Sequence, residues 1–335
     1  MLRGFIYPYT AREGVIKNPY ISNFMNAFEG RIEFVNRNNT SVLGLFDILK
    51  YMHKIDILFV NWPEDILEKR GGLLQMIFYF FLIHYLRFKG ILIFLTFHNK
   101  ESHNKINIRL KNFLRNFTVR KADYIMTHAR EGVKMVEMLA GEGNARIGFF
   151  HHPVLPVITL PIPATKKYDL LIWGMVAPYK GVDHFLEFIK EEKLDHLKIL
   201  IAGKISGEEY RSKILAYSTS QIEIMDKFIS TQQLEDFIVQ SRAVLFTYLG
   251  KSILSSGALM DTLRYGPLII GPNYGSFKDL HEEGLIEVYD DYAHLKVLLN
   301  NLDRRPDRNR TEKFIAEHSW SRFGADVYNF IALNP

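Results

Sequence analysis

Ser252-Ile253-Leu254-Ser255-Ser256-Gly257-Ala258-Leu259-Met260-Asp261-Thr262-Leu263-Arg264-Tyr265-Gly266-Pro267-Leu268-Ile269-Ile270-Gly271-Pro272 reads as a polar loop, a short helix and an apolar strand in direct succession. Ser255 or Ser256 can cap the first helical turn, where unbonded backbone N–H groups collect. Gly257 keeps the backbone open to close approach. The positive end of the helix dipole and the free N–H groups form a seat for an anion such as phosphate, with the Asp261 carboxylate about one turn further in. Gly266-Pro267 ends the helix, and Leu268–Ile270 begins the strand. An ordinary capped helix between two strands is the alternative for this stretch taken alone.

Working outward, strand-like apolar runs alternate with helix-length segments along the whole chain, the signature of parallel α/β layers. In the first half the strands fall near Leu2–Tyr7, Ile32–Val35, Ile55–Asn61, Gly90–Phe97, Tyr124–Thr127 and Ile147–Phe149, with helices that include Gly72–Phe88 and Asn104–Phe117. Pro153, Pro156, Pro161 and Pro163 then form an extended connector that no helix or central strand tolerates. Beyond it, strands recur near Asp169–Trp173, Leu197–Ala202, Ile222–Met225, Ala243–Thr247, Leu268–Ile270 and Ile286–Val288. The expectation is two α/β domains facing a central cleft, with ligands at the carboxyl ends of the strands.

A length of 335 residues suits two domains, and 47% hydrophobic with 24% charged residues describes a globular chain. The absence of cysteine excludes disulfides, zinc–thiolate sites and cysteine nucleophiles, and fits a reducing compartment. Leu2–Tyr9 reads as a strand rather than a signal peptide. Gly71–Leu86 runs for sixteen residues without a charge but falls short of a membrane span and contains Gln75 and His84, so a buried helix is expected. Charge is uneven. Residues 1–155 carry 21 Lys+Arg against 13 Asp+Glu, a net +8, and residues 156–335 carry 21 against 24, a net −3. An acidic surface is therefore the expected partner of the first half, either anionic lipid or nucleic acid.

There is no Gly-x-Gly-x-x-Gly, no P-loop, no Gly-x-Ser-x-Gly, no His-Glu-x-x-His and no Asp-x-Asp for a metal–diphosphate clamp. Gly174-Met175-Val176-Ala177-Pro178-Tyr179-Lys180-Gly181 follows a strand and opens a helix, so Lys180 can reach a phosphate as a point charge unless it is an ordinary surface lysine. His98 and His128 each follow the carboxyl end of a strand, where a ligand can meet them. His98 and His103 lack a helix to align them as a metal pair, and His84 is expected in the core. In Asn104–Phe117, Ile106, Leu110, Phe113, Leu114 and Phe117 make one apolar stripe. Lys105, Arg109, Lys111 and Arg115 lie on its other faces. The readings are a core helix with a solvated basic side, or a surface that rests on anionic lipid. Basic residues accompanying a buried stripe, without an exposed aromatic platform, argue against nucleic acid.

Ordered landmarks across nearly the whole chain resemble the GT-B-fold glycosyltransferases of retaining family 4. They are Asn18-Pro19-Tyr20-Ile21, Asn61-Trp62-Pro63-Glu64, Thr96-Phe97-His98-Asn99, Gly174 to Lys180-Gly181, Ile201-Ala202-Gly203-Lys204, Phe228-Ile229, Leu234-Glu235-Asp236-Phe237, Ala243 to Phe246, Ser255-Ser256-Gly257 and His318-Ser319-Trp320. Of the two glutamates that family commonly places eight apart, Asp261 fits the second and Ile253 stands at the first. Met175 stands where an arginine often follows the glycine.

The resemblance implies two Rossmann-like domains. Residues 1–152 form the acceptor side, with 319–335 packing back on them. Residues 153–168 are the linker, and 169–318 bind the donor. It also implies metal-independent transfer of a sugar from a nucleoside-diphosphate sugar to a glycan or lipid-linked glycan, with retention, in surface polysaccharide synthesis. No cofactor is implied beyond the donor substrate. Lys180, helped by Gly174 and Lys204, would meet the diphosphate together with Ser255, Ser256 and Gly257. Asp261 would hold the ribose, Phe228 and Ile229 would border the base, and His98 would touch the sugar or acceptor. The expected place is the cytoplasm, at the inner face of a membrane through the basic half. A nucleotide-sugar epimerase of the same fold and a catalytically silent nucleotide-sugar-binding scaffold are the alternatives.

Overall fold

The computed structural model describes residues 1–9, 19–38, 43–100, 106–141, 145–161, 165–249 and 253–333. Asn18, His103, Asn104, Lys105, Pro163 and Ser252 from the sequence reading lie outside them. The strands are β1 (Leu2–Tyr7), β2 (Ile32–Phe34), β3 (Ile57–Asn61), β4 (Leu92–Phe97), β5 (Tyr124–Thr127), β6 (Arg146–Phe149), β7 (Tyr168–Trp173), β8 (Ile199–Ala202), β9 (Ile222–Met225), β10 (Ser241–Leu245), β11 (Leu268–Pro272) and β12 (Glu287–Tyr289). The helices are α1 (Pro19–Ala27), α2 (Gly72–Phe88), α3 (Ile108–Lys121), α4 (Arg130–Ala140), α5 (Val182–Glu191), α6 (Glu208–Leu215), α7 (Thr231–Gln240), α8 (Gly257–Leu263), α9 (Gly275–Glu282), α10 (Tyr292–Leu299), α11 (Arg308–Glu317) and α12 (Trp320–Ala332). The alternation read from the sequence is therefore real, with boundaries shifted by a few residues.

The chain divides into two compact units, one of Met1–Pro153, Ser252–Ser255 and His318–Pro335, the other of Val154–Lys251 and Ser256–Glu317. In the first, six parallel strands run in the order β2-β1-β3-β4-β5-β6. Alternate residues of each strand feed opposite faces of the sheet. Phe5, Leu58, Ile93 and Ile125 share one core with Tyr79, Leu82 and Leu86 of α2. Ile6, Phe59, Phe94 and Met126 share the other with Phe24 of α1 and with Phe323 and Val327 of α12. Both faces are covered, which explains the near-continuous apolar strands.

The second unit is also a six-stranded parallel sheet, in the order β12-β11-β10-β7-β8-β9. Counted from β7 as the first strand, the order is 3-2-1-4-5-6. The chain reverses direction across the sheet between β7 and β10, which makes the carboxyl edge there the topological switch point.

Two expectations for the first unit are corrected. Helix α2 is not a buried helix. Gln75, Tyr79, Leu82, Ile83 and Leu86 face inward, but Leu73, Leu74, Ile77, Tyr85, Phe81 (71% exposed) and Phe88 (84% exposed) face out, and His84 is exposed rather than in the core. No helix among the described residues is long and apolar enough to cross a membrane. Helix α3 is turned relative to the predicted stripe. It buries Lys111, Leu114, Arg115, Thr118 and Val119 and exposes Leu110 and Phe113, and Ile106, which precedes the helix, is exposed as well. Long-range partners set this rotation, because Lys111 pairs with Glu68 and Arg115 donates to the Lys100 carbonyl. Phe80 of α2 packs on Phe113 and Phe117 of α3, with centroids 5.3 and 4.3 Å apart.

Candidate functional site

At the switch point of the second unit, three glycines let loops approach to backbone contact. Gly174 follows β7 at φ 91°, a conformation that favours glycine, and a β-carbon on Gly203 would lie 1.8 Å from the Gly174 carbonyl oxygen. Gly181 has φ 64°, and a β-carbon there would meet Leu249 and the Thr247 carbonyl at 2.4 and 2.8 Å. The Thr247 hydroxyl donates to the Lys180 carbonyl at 2.6 Å, and Leu249 N–H to the Tyr179 carbonyl at 3.0 Å. The turn that carries Lys180 is thus clamped against the loop after β10.

Lys180 is half-buried, with its ammonium 5.4 Å from the centre of the Tyr248 ring. Its ammonium makes no hydrogen bond or ion pair among the described residues. Burial lowers its pKa from 10.5 to about 8. An enclosed cation without a counter-ion calls for an anion. Tyr248 passes the site on to α8, since its hydroxyl and the Ser256 hydroxyl share a hydrogen bond of 2.9 Å. Ser256 caps α8 by accepting from Leu259 N–H at 3.3 Å. A side chain at Gly257 would meet nothing within 4 Å, so the backbone there is open. Trp173, the last residue of β7, donates its indole N–H to Thr262 at 2.8 Å and fixes α8 to the sheet edge.

Beside Thr262, Asp261 is half-buried, its carboxylate makes no hydrogen bond among the described residues, and burial raises its pKa. Gly174, Lys180, Ser256, Gly257 and Asp261 therefore form one continuous edge. Helix α8 has only seven residues, so Lys180 rather than a long helix dipole supplies most of the positive field.

The other residues read from the sequence stand differently. Lys204 follows β8 and is bound to Asp226 at 3.2 Å, a carboxylate that also takes Arg211 at 2.5 Å. A backbone N–H, these cations and the resulting network hold Asp226 down to about 2. Phe228 follows β9 and is 73% exposed, with Ile229 half-buried beside it. Ser255 belongs to the first unit while Ser256 belongs to the second, and the Ser255 hydroxyl is buried with no partner among the described residues. Ile253 pairs with Asn99 in an antiparallel bridge and is 5% exposed, and Leu254 enters the first unit's core. Ile253 is thus a packing residue. Tyr248, the platform under Lys180, was missed. Its only sequence signal is a large aromatic just beyond the carboxyl end of a strand.

The carboxyl edge of the first unit gathers aromatic rings and imidazoles. His98, after β4, stacks on Trp62 at 4.1 Å and 14°. Asn61 turns its amide toward the Tyr7 carbonyl at 3.5 Å and presents its oxygen to His98 Nε2 at 2.9 Å. This pairing assigns the proton to Nε2 and leaves Nδ1 of His98 as an acceptor. Trp62 holds φ 47° without being glycine, local strain of the kind found at functional sites. His128 donates from Nδ1 to the Phe150 carbonyl and accepts from the Tyr20 hydroxyl, each at 2.8 Å. Burial, reinforced by neighbouring imidazoles, lowers His98 well below 6.5 and His128 to about 3, and burial takes His152 to about 4, so all three are neutral. No group of three or more His, Cys, Asp or Glu among the described residues can hold a metal ion.

No family model matches the chain. A curated GDP-mannose:glycolipid 4-beta-D-mannosyltransferase of Xanthomonas campestris pv. campestris is 21% identical over 328 residues, covering 94% of this chain and 88% of that protein. Among solved structures, Anabaena HepE in complex with UDP superposes with a TM-score of 0.70 at 8% identity, covering 99% of this chain and 100% of that one. The apo form of the lipopolysaccharide outer core galactosyltransferase WaaB gives 0.66 at 15% identity, covering all of both chains. AviGT4, a glycosyltransferase involved in avilamycin A biosynthesis, gives 0.60 at 13% identity, covering 100% and 99%. The two-sheet α/β architecture is that of the GT-B glycosyltransferases.

Proposed function

We propose that this chain is a glycosyltransferase that moves a sugar from a nucleoside-diphosphate donor to a hydroxyl of a glycan or lipid-linked glycan, with the donor seated at the switch-point edge of the second unit. The carrying observation is Lys180, an enclosed ammonium with no partner among the described residues, beside the open backbone at Gly257 and the unbonded Asp261 carboxylate. Charge on a departing diphosphate grows as the glycosidic bond breaks, and a cation already fixed there stabilises it without reorganising. Asp261 would accept from the ribose hydroxyls, Phe228 and Ile229 would flank the base, and Lys204 would add a second cation behind its ion pair. His98 would offer its Nδ1 to a hydroxyl of the sugar or acceptor.

The proposal includes transfer without a metal ion, because Lys180 supplies the positive charge. It also includes retention of configuration, as in the family that the sequence resembles. An acceptor at a lipid surface is supported by the exposed apolar face of α2, flanked in sequence by Lys69, Arg70, Arg87 and Lys89.

The test is release of nucleoside diphosphate from GDP-, UDP-, ADP- and dTDP-sugars, GDP-mannose first, with and without a glycolipid acceptor and EDTA. Acceptor-dependent release that survives EDTA is expected. An isomerised sugar formed without acceptor would instead identify an epimerase. Donor binding without turnover would identify a silent scaffold, and an inverted product would remove retention.

A further inference from the structure

At the amino edge of the second unit's sheet, opposite the donor edge, lies a cavity of about 250 Å³. It is bounded by the residues that precede β7, β10 and β11, by the end of α8 and by the start of α11. The length of β7 puts roughly 17 Å between the two edges at ~3.3 Å per residue.

Five cations border this cavity, Lys166, Arg242, Arg264, Arg305 and Arg308, against the single carboxylate Glu312. Their partners sort them. Arg242 is neutralised by Asp169 at 3.0 Å and Asp303 at 2.8 Å, and Arg308 by Glu312 at 2.7 Å. Arg264 gives its Nε–H to the Pro156 carbonyl at 3.0 Å and has its charge set partly against Asp261, three residues back. Lys166 is different. It is half-buried, and its ammonium donates to the Val239 carbonyl at 2.6 Å, a neutral acceptor. Arg305 makes no hydrogen bond or ion pair among the described residues, yet it is close enough that its charge adds to burial in lowering the Lys166 pKa. Arg305 is exposed and Lys166 half-buried, both border the cavity, and their like charges repel, so an anion held between them removes that cost. The remaining walls combine apolar side chains, Ile238, Leu263, Pro267 and Ile315 among them, with the hydroxyl-bearing Thr159, Ser241, Thr311 and Tyr265.

We propose that this cavity is a second binding site, for a small organic phosphate monoester whose head lies between Lys166 and Arg305 and whose ring or aliphatic body rests on Ile238, Leu263 and Ile315. A monoester carries about −1.5 to −2 at neutral pH, matching two uncompensated cations better than a single carboxylate does. The volume falls just below the 300–1,000 Å³ usual for drug-sized ligands, so the occupant is smaller than a nucleotide sugar. The site is independent of the reading of the donor edge.

The test is calorimetric titration of the full chain with phenyl phosphate, which has both a dianionic head and an apolar ring. Saturable one-to-one binding is expected, weakened by about tenfold or more in Arg305→Ala and in Lys166→Gln, weaker for benzoate, and unchanged within about twofold in Lys180→Ala. Arg305 is exposed and makes no hydrogen bond or ion pair among the described residues, so its truncation removes charge without breaking a polar contact. The proposal is overturned if the parent shows no saturable binding. It is equally overturned if binding disappears in Lys180→Ala and persists in Arg305→Ala, which would place the anion at the donor edge.

Discussion

Gly203 sits so close to Gly174 that a β-carbon on it would lie 1.8 Å from the Gly174 carbonyl oxygen. That approach lets the loops after β7 and β8 run side by side, with Val176 N–H bonded to the Lys204 carbonyl at 2.9 Å and Ser206 N–H to the Val176 carbonyl at 2.9 Å. Gly203→Ala must push them apart. A loss of about 2 kcal/mol or more in a urea melt is expected, with weaker donor binding. A variant as stable as the parent would show that the approach is dispensable.

Lys180→Ala removes the cation but keeps the Gly174 and Gly181 turns. Loss of one preorganised electrostatic group costs about 10²–10³ in kcat. Steady-state kinetics with the active donor should show this in kcat more than in KM. A rate within about twofold of the parent would take Lys180 out of the chemistry.

The same lysine sets a basic limb. Its pKa is lowered to about 8, so the ammonium predominates below that pH and is lost above it. The expected kcat/KM is level up to about pH 8 and then falls about tenfold per pH unit. A bound diphosphate favours the charged form, so the break in kcat should lie higher. A profile flat to pH 9.5 would contradict this assignment.

Acid should loosen the first unit. His128 and His152 are held at about 3 and about 4, and His98 well below 6.5, mainly by burial. The unfolded chain takes up protons near pH 6.5 that the folded cluster refuses, so stability is full above that pH and declines as pH falls toward 4. The decline is on the order of 1 kcal/mol per pH unit for each imidazole. Trp62 and Trp320 lie in this cluster, so tryptophan fluorescence melts at pH 7.5, 6 and 5 report on it directly. A midpoint that does not move would mean the imidazoles are already solvated.

Helix α2 predicts vesicle binding. The triple change Leu74→Ser, Phe81→Ser and Phe88→Ser alters only side chains that face out. Flotation with vesicles of phosphatidylcholine and phosphatidylglycerol should show the parent bound and the variant free, with the fold unchanged by circular dichroism. At ~0.8 kcal/mol per buried methylene, three such side chains decide the partition. Equal flotation of both would place any membrane contact elsewhere.

The sheets were legible because their inner strands are covered on both faces, which writes an uninterrupted apolar run such as Leu92–Phe97 into the chain. The three glycines of the Lys180 edge were visible in part, since Gly174 and Gly181 flank it in sequence. Helix α2 was opaque for a physical reason: a helix apolar all round carries no periodicity to show which side is inward. Helix α3 misled because its rotation depends on Glu68 and on the Lys100 carbonyl, partners remote in sequence. Ser255 and Ser256 looked equivalent, and long-range structure separates them: Ser256 caps α8 and bonds Tyr248, while Ser255 stays with the first unit, to which Ile253 is tied through Asn99.

That separation bears on how the molecule can be cut and recombined. Leu254 is part of the first unit's interior, although it arrives about 100 residues after the proline-rich connector. A fragment ending at that connector would lack both this side chain and α12, leaving a hole beside Gly132 and an uncovered sheet face. A hybrid enzyme spliced there would import a stranger's residue into this interior. Donor-exchange chimeras therefore need to graft Ile253–Ser255 along with the first unit, and α12 with it.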